Sequence, residues 1–294
     1  MQGVDAMKLR FLPVLVLSPS VLLVAVCVYG FIAYSGYLSF TASRMLPSAE
    51  LVGTQNYQVL LALRNWWIAA GNVWIYTVVY IGASLALGLL LAVLIEQGVR
   101  AEGFWRTIFL YPMALSFIVT GTAWKWLLDP AIGVQGIVRH LGWTGFTFDW
   151  IVRSDRALYC IALAAIWQSA GFVMAMFLAG LRGLDVEPVH AARIDGARPW
   201  QVYRYVIVPQ LGPVFASAAV VLATNAIRCY DLVVAMTGGG PGNATWLPSI
   251  FMYQYTFTRS EMGVGSASSV LMLGAIVVFV LPYLRHEYRR VARG

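Results

Sequence analysis

Seven stretches of this chain of 294 residues each run for 18 or more positions without a charged side chain, and six of them are mainly apolar, the exception being the glycine-rich stretch 232–258. A helix needs about 20 mainly apolar residues to cross the ~30 Å hydrocarbon core of a bilayer. Inside that core every backbone N–H and C=O group must bond within the protein, so an apolar segment of this kind folds as a helix. The pattern predicts an all-α membrane protein with six transmembrane helices.

The composition excludes a water-soluble enzyme. Charged residues make up 11% of the chain and apolar residues 60%, whereas soluble domains have about 25% charged residues. The three cysteines and three histidines are too few and too far apart for a disulfide framework or a metal site. The net charge of +7 comes without a basic run interleaved with aromatic residues, so nucleic acid is not an expected partner.

The six spans are placed inside the charge-free stretches, at residues 11–31, 73–95, 107–124, 157–181, 211–227 and 264–284. The third and fifth are short and contain Pro112 and Pro213, so their ends are the least defined. The first follows Lys8 and Arg10 as a signal peptide would. Its apolar stretch exceeds the usual length of about 7–15 residues, however, and no A-x-A cleavage site follows. We therefore expect a retained helix rather than a cleaved leader.

The positions of the Lys and Arg residues predict the orientation of the spans. An even number of spans leaves both termini on one side, and that side carries 12 of the 20 Lys and Arg residues: Lys8, Arg10, Arg100, Arg106, Arg182, Arg193, Arg198, Arg204, Arg285, Arg289, Arg290 and Arg293. Positive charge marks the cytoplasmic side. We therefore expect a cytoplasmic N-terminus over residues 1–10, a transmembrane domain over residues 11–285 and a cytoplasmic tail over residues 286–294.

The cytoplasmic connection between the fourth and fifth spans, residues 182–210, is amphipathic rather than a plain polar loop. Glu187 and Pro188 are typical of a helix start, Gly196 interrupts the pattern, and a second helix is expected from Pro199. A helix, a bend and a second helix would protrude from the membrane and suit a groove in another protein. A helix resting on lipid headgroups has the same amphipathic pattern, so the pattern alone leaves both interpretations open.

Residues 190–209 resemble the EAA loop of bacterial ABC importer permeases, whose pattern is roughly EAA, three residues, G and an ending of the I-x-L-P type. The matching residues are Ala191, Ala192, Asp195, Gly196, Ala197, Ile207 and Pro209. His190 stands where the family usually has Glu, and Val208 where it usually has Leu. Because His190 replaces that Glu, any salt bridge that the Glu makes in the family has no support in this chain. The expected fold is not affected.

A glycine-rich segment after the fifth span narrows the resemblance. Residues 237–243 read TGGGPGN and resemble a segment of the first permease in carbohydrate importers of the maltose and glycerol-3-phosphate group. Three consecutive glycines beside a proline form a backbone with few steric limits, which can approach a ligand closely. No GK[ST] follows, so the segment is not a nucleotide-binding P-loop. Together with the EAA-like loop and the six spans, the resemblance covers about residues 10–285.

This resemblance implies a multi-pass permease subunit of an ABC importer in the bacterial inner membrane, with no enzymatic activity or cofactor of its own. It implies as partners a second homologous permease, two ATPase subunits that bind ATP and Mg²⁺, an extracytoplasmic solute-binding protein and a sugar as cargo. The residues implied to dock on an ATPase subunit are His190, Ala191, Ala192, Asp195, Gly196 and Ala197. The residues implied to face the binding protein are Gly238, Gly239, Gly240 and Pro241.

Polar side chains in and near the fourth and fifth spans give the predicted cargo path, because polar groups inside a membrane are costly and tend to face a cavity. The candidates are Trp167, Gln168, Ser169, Phe172, Asn225, Arg228, Tyr230 and Asp231. Sugars are commonly held by aromatic faces with amide or hydroxyl partners, and in the maltose-type permeases that this chain resembles the same two spans contact the substrate. The alternative for Gln168 and Asn225 is hydrogen bonding between helices.

Three alternatives to a sugar importer differ in what they require of the sequence. The same family also carries glycerol phosphate, polyols and peptides, and Arg228 would suit a phosphate as well as a sugar hydroxyl. An ATP-independent secondary transporter would have more ionisable residues inside its spans and no use for an EAA-like loop. A membrane-embedded enzyme would need acidic residues or histidines clustered at one membrane face, and those of this chain are scattered.

Overall fold

The computed structural model describes residues 2–291, with side chains from residue 17 to residue 278 and at a few positions beyond. Met1 and residues 292–294, which belong to the two expected cytoplasmic ends, lie outside the described residues. The regular structure of the described chain is helical, apart from one isolated antiparallel bridge between Thr41 and Leu51. The prediction of an all-α fold is confirmed.

The helices follow one another along the whole described chain. In order they are α1 (Gln2–Leu38), α2 (Gln55–Ala62), α3 (Arg64–Glu96), α4 (Glu102–Leu110), α5 (Phe117–Leu127), α6 (Val134–His140), α7 (Ala157–Arg182), α8 (Glu187–Ile194), α9 (Pro199–Val202), α10 (Val208–Gln210), α11 (Gly212–Ile227), α12 (Asp231–Met236), α13 (Pro248–Tyr253) and α14 (Met262–Val291). A 3₁₀ turn at Tyr111–Ala114 extends α4, and π-helical turns at Tyr203–Ile207 and Gln254–Thr258 follow α9 and α13.

Three helices of the described chain are long and apolar enough to cross a membrane: the Leu17–Leu38 part of α1, α3 and α7. Two bent pairs qualify as well if each pair counts as one span, namely α4 with α5 and α9–α10 with α11. The apolar part of α14, Met262–Val278, is shorter. The helix α7 coincides with the predicted fourth span, whereas α3 begins at Arg64, nine residues before the predicted second span.

The predicted third span, residues 107–124, is not one helix. The helix α4 with its 3₁₀ turn meets α5 at an angle of 99°. Leu115 and Ser116 are extended at this break, and the Ser116 hydroxyl accepts a bond from the backbone N–H two residues further on as an N-cap. Pro112 has no N–H for a helical hydrogen bond. Gln168 of α7 donates from Nε2 to the Leu115 carbonyl at 2.8 Å, which satisfies a backbone group that the break leaves open.

The predicted fifth span, residues 211–227, agrees with α11, but the helix leading into it is bent away by 65°. Pro209 and Pro213 lie on either side of the bend, and neither supplies an N–H to a helical ladder. The prolines that left the ends of the third and fifth spans poorly defined in the sequence therefore mark bends in the structure.

The described chain divides into two compact units. The first comprises the chain up to Ala62 together with Met252–Leu271, and the second comprises Leu63–Phe251 together with the residues from Met272 onward. At the centre of the second unit α7 packs along α3, and α4, α5 and α11 pack on this pair. Small residues at helix contacts allow close approach: Gly171 of α7 lies directly against the backbone carbonyl of a residue in α4.

Candidate functional site

Residues 185–210 fold as the helix, bend and helix that their sequence predicts. The helix α8 ends in a Schellman motif, in which the N–H groups of Gly196 and Ala197 donate to carbonyls in the last turn at 3.1 and 3.0 Å. Gly196 has a φ of +81°, a left-handed conformation that favours glycine. Pro199 then opens α9 at its first position, where a helix has no partner for an N–H.

This segment is exposed, and its outward side chains include apolar ones. No residue of α8 is buried, and Ile194 at its end is 86% exposed. The residues implied to dock on an ATPase subunit are all exposed or half-buried: His190, Ala191, Ala192, Asp195, Gly196 and Ala197. Exposed apolar side chains grouped with charged ones are typical of a surface that another protein or a membrane covers.

Arg182, the last residue of α7, lies just before this segment and forms ion pairs with the ends of two other helices. Its guanidinium group contacts the carboxylate of Glu102 at 2.7 Å and that of Glu96 at 3.1 Å. Each exposed ion pair contributes little stability alone, but together they tie the ends of α3, α4 and α7 beside the exposed segment.

A cavity of about 250 Å³ lies in the second unit. The helix α3 contributes Tyr76 and Tyr80 to its wall, and the junction of α11 with α12 contributes Asn225, Arg228, Cys229, Tyr230, Asp231 and Leu232. Phe117 and Ala165 complete it. Binding sites for small molecules combine apolar and aromatic walls with a few polar groups, and this cavity has that composition. No group of three or more His, Cys, Asp or Glu residues in the described chain is placed to hold a metal ion.

Hydrogen bonds and ring stacking order the cavity wall. The rings of Tyr76 and Tyr80 stack with centroids 5.5 Å apart and 11° between their planes. The Arg228 guanidinium donates to Oδ1 of Asn225 at 3.3 Å. No ion pair of the described residues includes Arg228 or Asp231, so the cavity wall carries one cation and one carboxylate that are not in direct contact.

Half of the predicted cargo-path residues line this cavity: Asn225, Arg228, Tyr230 and Asp231. Ser169 reaches it indirectly, because its hydroxyl lies 2.6 Å from that of Tyr80. Trp167, Gln168 and Phe172 are not among the lining residues of the described chain. Gln168 is buried and bonded to the break between α4 and α5, and the ring of Trp167 packs edge-on against a tryptophan of α5 at 5.9 Å.

The sequence predictions did not include Tyr76 and Tyr80, the two residues of α3 that line the cavity. Tyr76 and Tyr80 are four positions apart, so they share one face of the helix, and both are buried. Two hydroxyl-bearing side chains on one face of a predicted span are the signal that identifies them, because polar groups inside spans mark cavities. Phe117 gives no such signal, since it reaches the cavity only because the third span breaks just before it.

The glycine-rich segment is hydrogen-bonded to α3. Nδ2 of Asn72 donates to the carbonyls of Ala244 and Trp246 at 2.9 and 3.0 Å. Nδ2 of Asn243 donates to Oδ1 of Asn65 at 3.0 Å. Two asparagines near the start of α3 therefore hold the end of this segment in place.

The glycines of this segment let the backbone turn tightly and pack against the rest of the unit. Gly238 and Gly239 have positive φ angles of +62° and +95°. Gly238 is exposed, whereas Gly239 is buried against the indole ring of Trp246. Gly240 and Pro241 are half-buried and joined by a cis peptide bond. The segment is a packed element with one exposed edge.

Replacing Asn72 with leucine is expected to loosen this packed element. Two carbonyls lose their donor, and an unsatisfied buried polar group costs about 1–3 kcal/mol. Hydrogen exchange of the backbone amides of residues 237–247 should therefore become faster. Asn65→Leu, which removes a single bond, serves as the control and should have a smaller effect. Equal exchange rates in Asn72→Leu and the native protein would contradict the expectation.

Comparison with known proteins identifies the family. Residues 84–290 match the model of the binding-protein-dependent transport system inner membrane component. Because this match covers most of the chain, the chain belongs to that family, the membrane permease subunits of ABC importers. The predicted resemblance is confirmed, and the chain is a transport subunit rather than an enzyme.

Individual relatives extend the likeness to nearly the full chain. A probable ABC transporter permease protein of Pyrococcus horikoshii is 38% identical over 278 residues, which cover 94% of this chain and 95% of that protein. The xylose/arabinose import permease protein of Haloferax volcanii is 32% identical, with 91% and 85% covered. The fold is similar to that of a chain in the crystal structure of a bacterial ABC transporter involved in the import of the acidic polysaccharide alginate, with a TM-score of 0.81, 18% identity and 99% of each chain covered.

Proposed function

We propose that this chain is the permease subunit of an ATP-driven importer and forms, with a second homologous permease, the path for a sugar delivered by an extracytoplasmic binding protein. The family description supports the dependence on a binding protein. The relative that imports xylose and arabinose supports a sugar as cargo. The observation that carries the proposal is the exposed helix, bend and helix of residues 185–210, because a permease that hydrolyses no ATP itself needs a surface on which an ATPase subunit can dock.

The proposed topology has six spans within residues 11–285 and both termini in the cytoplasm, over residues 1–10 and 286–294. Three long helices and two bent pairs supply five spans, and α14 with its apolar part Met262–Val278 supplies the sixth. The excess of Lys and Arg on the side of the termini supports the orientation. This arrangement assigns residues 182–210 to the cytoplasmic side and the glycine-rich segment to the outer side.

In the proposed mechanism α8 inserts into a cleft of one of two ATPase subunits, which bind ATP and Mg²⁺. The docking residues are His190, Ala191, Ala192, Asp195, Gly196 and Ala197. Closure of the ATPase dimer moves α8, and the ion pairs of Arg182 with Glu96 and Glu102 pass that movement to the ends of α3 and α4. Residues Gly238, Gly239, Gly240 and Pro241 remain the part of the segment proposed to face the binding protein, with Gly238 as its exposed point and Gly239 buried beneath it.

The cavity of the second unit is this chain's part of the proposed cargo path. Its stacked tyrosines offer aromatic faces to a sugar ring, and Asn225, Arg228 and Asp231 offer donors and an acceptor for hydroxyl groups. Trp167, Gln168, Ser169, Phe172 and Tyr230 remain proposed path residues, with Ser169 acting through Tyr80.

The proposal is tested by extracting the tagged chain in mild detergent and identifying the proteins that co-purify by mass spectrometry. We expect an ATPase and a second permease in a fixed ratio to this chain. Uptake of xylose, arabinose and maltose by the reconstituted complex then tests the cargo. A chain that purifies alone or as a homo-oligomer, with no ATPase, would contradict the proposal and favour an ATP-independent transporter.

Replacing Asn225 with leucine is expected to reduce sugar uptake by about tenfold, because the cavity loses an amide that binds a hydroxyl and orients Arg228. Thr224→Val is the matched control, since Thr224 bonds back to the Val220 carbonyl on the same helix and does not line the cavity in the described chain. Unchanged uptake in a double variant carrying Asn225→Leu and Gln168→Leu would show that neither residue contributes to the cargo path.

Replacing Gln168 alone with leucine should lower the thermal stability of the chain, because it removes the hydrogen-bond donor to the Leu115 carbonyl.

A further inference from the structure

A second cavity, of about 600 Å³, lies in the first unit and belongs to no part of the proposed cargo path. It is formed by the connection after α1, the start of α2 and the turn before α14. Its lining is mainly polar and includes Arg44, Gln55, Arg259 and Glu261. Sequence reasoning gave no role to any of these four residues.

The walls of this cavity are held by hydrogen bonds within the unit. Nδ2 of Asn56 donates to the carbonyls of Ser39 and Thr41 at 2.9 and 2.8 Å. The N–H of Gly263, at the start of α14, donates to the carbonyl of Ser43 at 2.8 Å. The connection after α1 is thereby fixed to both α2 and α14, so the shape of the cavity does not depend on a bound partner.

Two arginines and one carboxylate give the cavity its charge. Arg259 donates from Nη1 to the hydroxyl of Tyr255 at 2.9 Å, and its guanidinium group lies 4.6 Å from the centre of that ring. Tyr255 is buried and anchors the Arg259 guanidinium, although Arg259 is itself exposed, as are Arg44 and Glu261. Within the described residues none of the three charged groups takes part in an ion pair. Two cations therefore face one anion.

We propose that this cavity, hereafter the arginine socket, receives an acidic surface loop of the extracytoplasmic solute-binding protein, whose carboxylates bond to Arg44 and Arg259. The inference rests on the proposed function, because the six-span topology assigns residues 39–62 and 253–261 to the outer side. Guanidinium groups bind carboxylates through two parallel hydrogen bonds, which gives direction as well as charge attraction.

The exposure of the lining favours a protein as the occupant over a small cargo. Met45 is 77% exposed and Val59 40% exposed, so the cavity opens broadly at its surface. Sites for small molecules enclose about 70–90% of their ligand's surface, and a cavity whose lining side chains are this exposed is poorly suited to that. A protein loop that carries both acidic and apolar residues could contact the two cations and the exposed apolar side chains together.

The socket predicts how this chain responds to the concentration of its binding protein. Complementary charges act mainly on the rate of association, so Arg44→Gln should raise the binding-protein concentration that gives half-maximal stimulation of ATP hydrolysis by about tenfold. The rate at saturating binding protein should stay unchanged. Glu261→Gln removes the competing anion and should lower the half-maximal concentration. Arg44 and Glu261 are the test positions because Arg259 also bonds to and packs on Tyr255, so its replacement would disturb that contact as well.

The experiment uses the complete complex in lipid nanodiscs, titrated at low and high NaCl with the separately purified solute-binding protein of the same importer. Salt should weaken the stimulation of the native complex more than that of Arg44→Gln, because screening removes the same attraction. Arg153→Gln is the matched control: in the proposed topology this arginine is on the same side of the membrane, but its Nε pairs with Asp155 at 3.3 Å.

An unchanged half-maximal concentration in Arg44→Gln and Glu261→Gln, or a change no larger than that in Arg153→Gln, would overturn the arginine socket and leave the importer proposal standing. A lower maximal rate at an unchanged half-maximal concentration would overturn the socket as well. If binding protein failed to stimulate the native complex at all, the proposed function would fail, and the socket with it.

Discussion

Replacing Gly196 with valine is expected to lower uptake by tenfold or more while the chain still inserts into the membrane. At a φ of +81° a β-branched side chain is strained by on the order of 1–3 kcal/mol. No atom of the chain lies within 4 Å of an added Cβ, so the change strains the backbone and does not create a clash within the chain. Release of that strain opens the Schellman turn and turns α8 away from its proposed docking position.

ATP hydrolysis and sugar uptake, measured together in the reconstituted importer, report this uncoupling. We expect hydrolysis to persist and uptake per ATP to fall by tenfold or more, on the order of the loss that a misplaced interface element produces. Gly196→Asn is the control, because asparagine adopts the left-handed conformation more readily than other side chains, and it should keep most of the uptake. Normal uptake by Gly196→Val would show that the bend at this position does not couple the two activities.

The contrast between α7 and the broken third span shows how far the sequence determines the fold. The bounds of α7 follow from a charge-free apolar stretch, which is a local property. At the 99° break between α4 and α5, the open carbonyl of Leu115 is satisfied by Gln168, which lies 53 positions further along the chain. Pro112 signals an irregularity in the sequence, but the direction of the bend comes from packing between distant helices.

The two parts of the candidate site differ in the same way. The helix, bend and helix of residues 185–210 could be predicted because Pro188, Gly196 and Pro199 act on their own backbone. The cavity depends on side-chain direction: successive residues of a helix point about 100° apart, so Gln168 reaches the break while Ser169 reaches the cavity wall. Tyr76 and Tyr80 line the cavity because α3 packs along α7, and no local sequence pattern predicts which helices pack together.

Replacing Gly171 with alanine is expected to destabilise the second unit strongly, because the added methyl group has no space between α7 and α4. An added Cβ would overlap the carbonyl oxygen and carbon of Phe109 in α4. These are backbone atoms, which cannot rotate away as a flexible side chain can. Overpacking of a close helix contact costs about 3 kcal/mol. We expect a lower midpoint of thermal unfolding in detergent and a lower yield of folded complex, both measured by size-exclusion chromatography after heating.

Gly82→Ala on α3 is the matched control, because no atom lies within 4 Å of its added Cβ and alanine favours a helix over glycine by up to about 1 kcal/mol. Its unfolding midpoint should equal or exceed that of the native chain. Equal midpoints in the two variants would mean that α4 and α7 are farther apart than the structure has them. Because α4 leads into the break that brings Phe117 to the cavity, displacement of α4 by the alanine at position 171 should also lower uptake in the complex that remains folded, whereas Gly82→Ala should leave uptake unchanged.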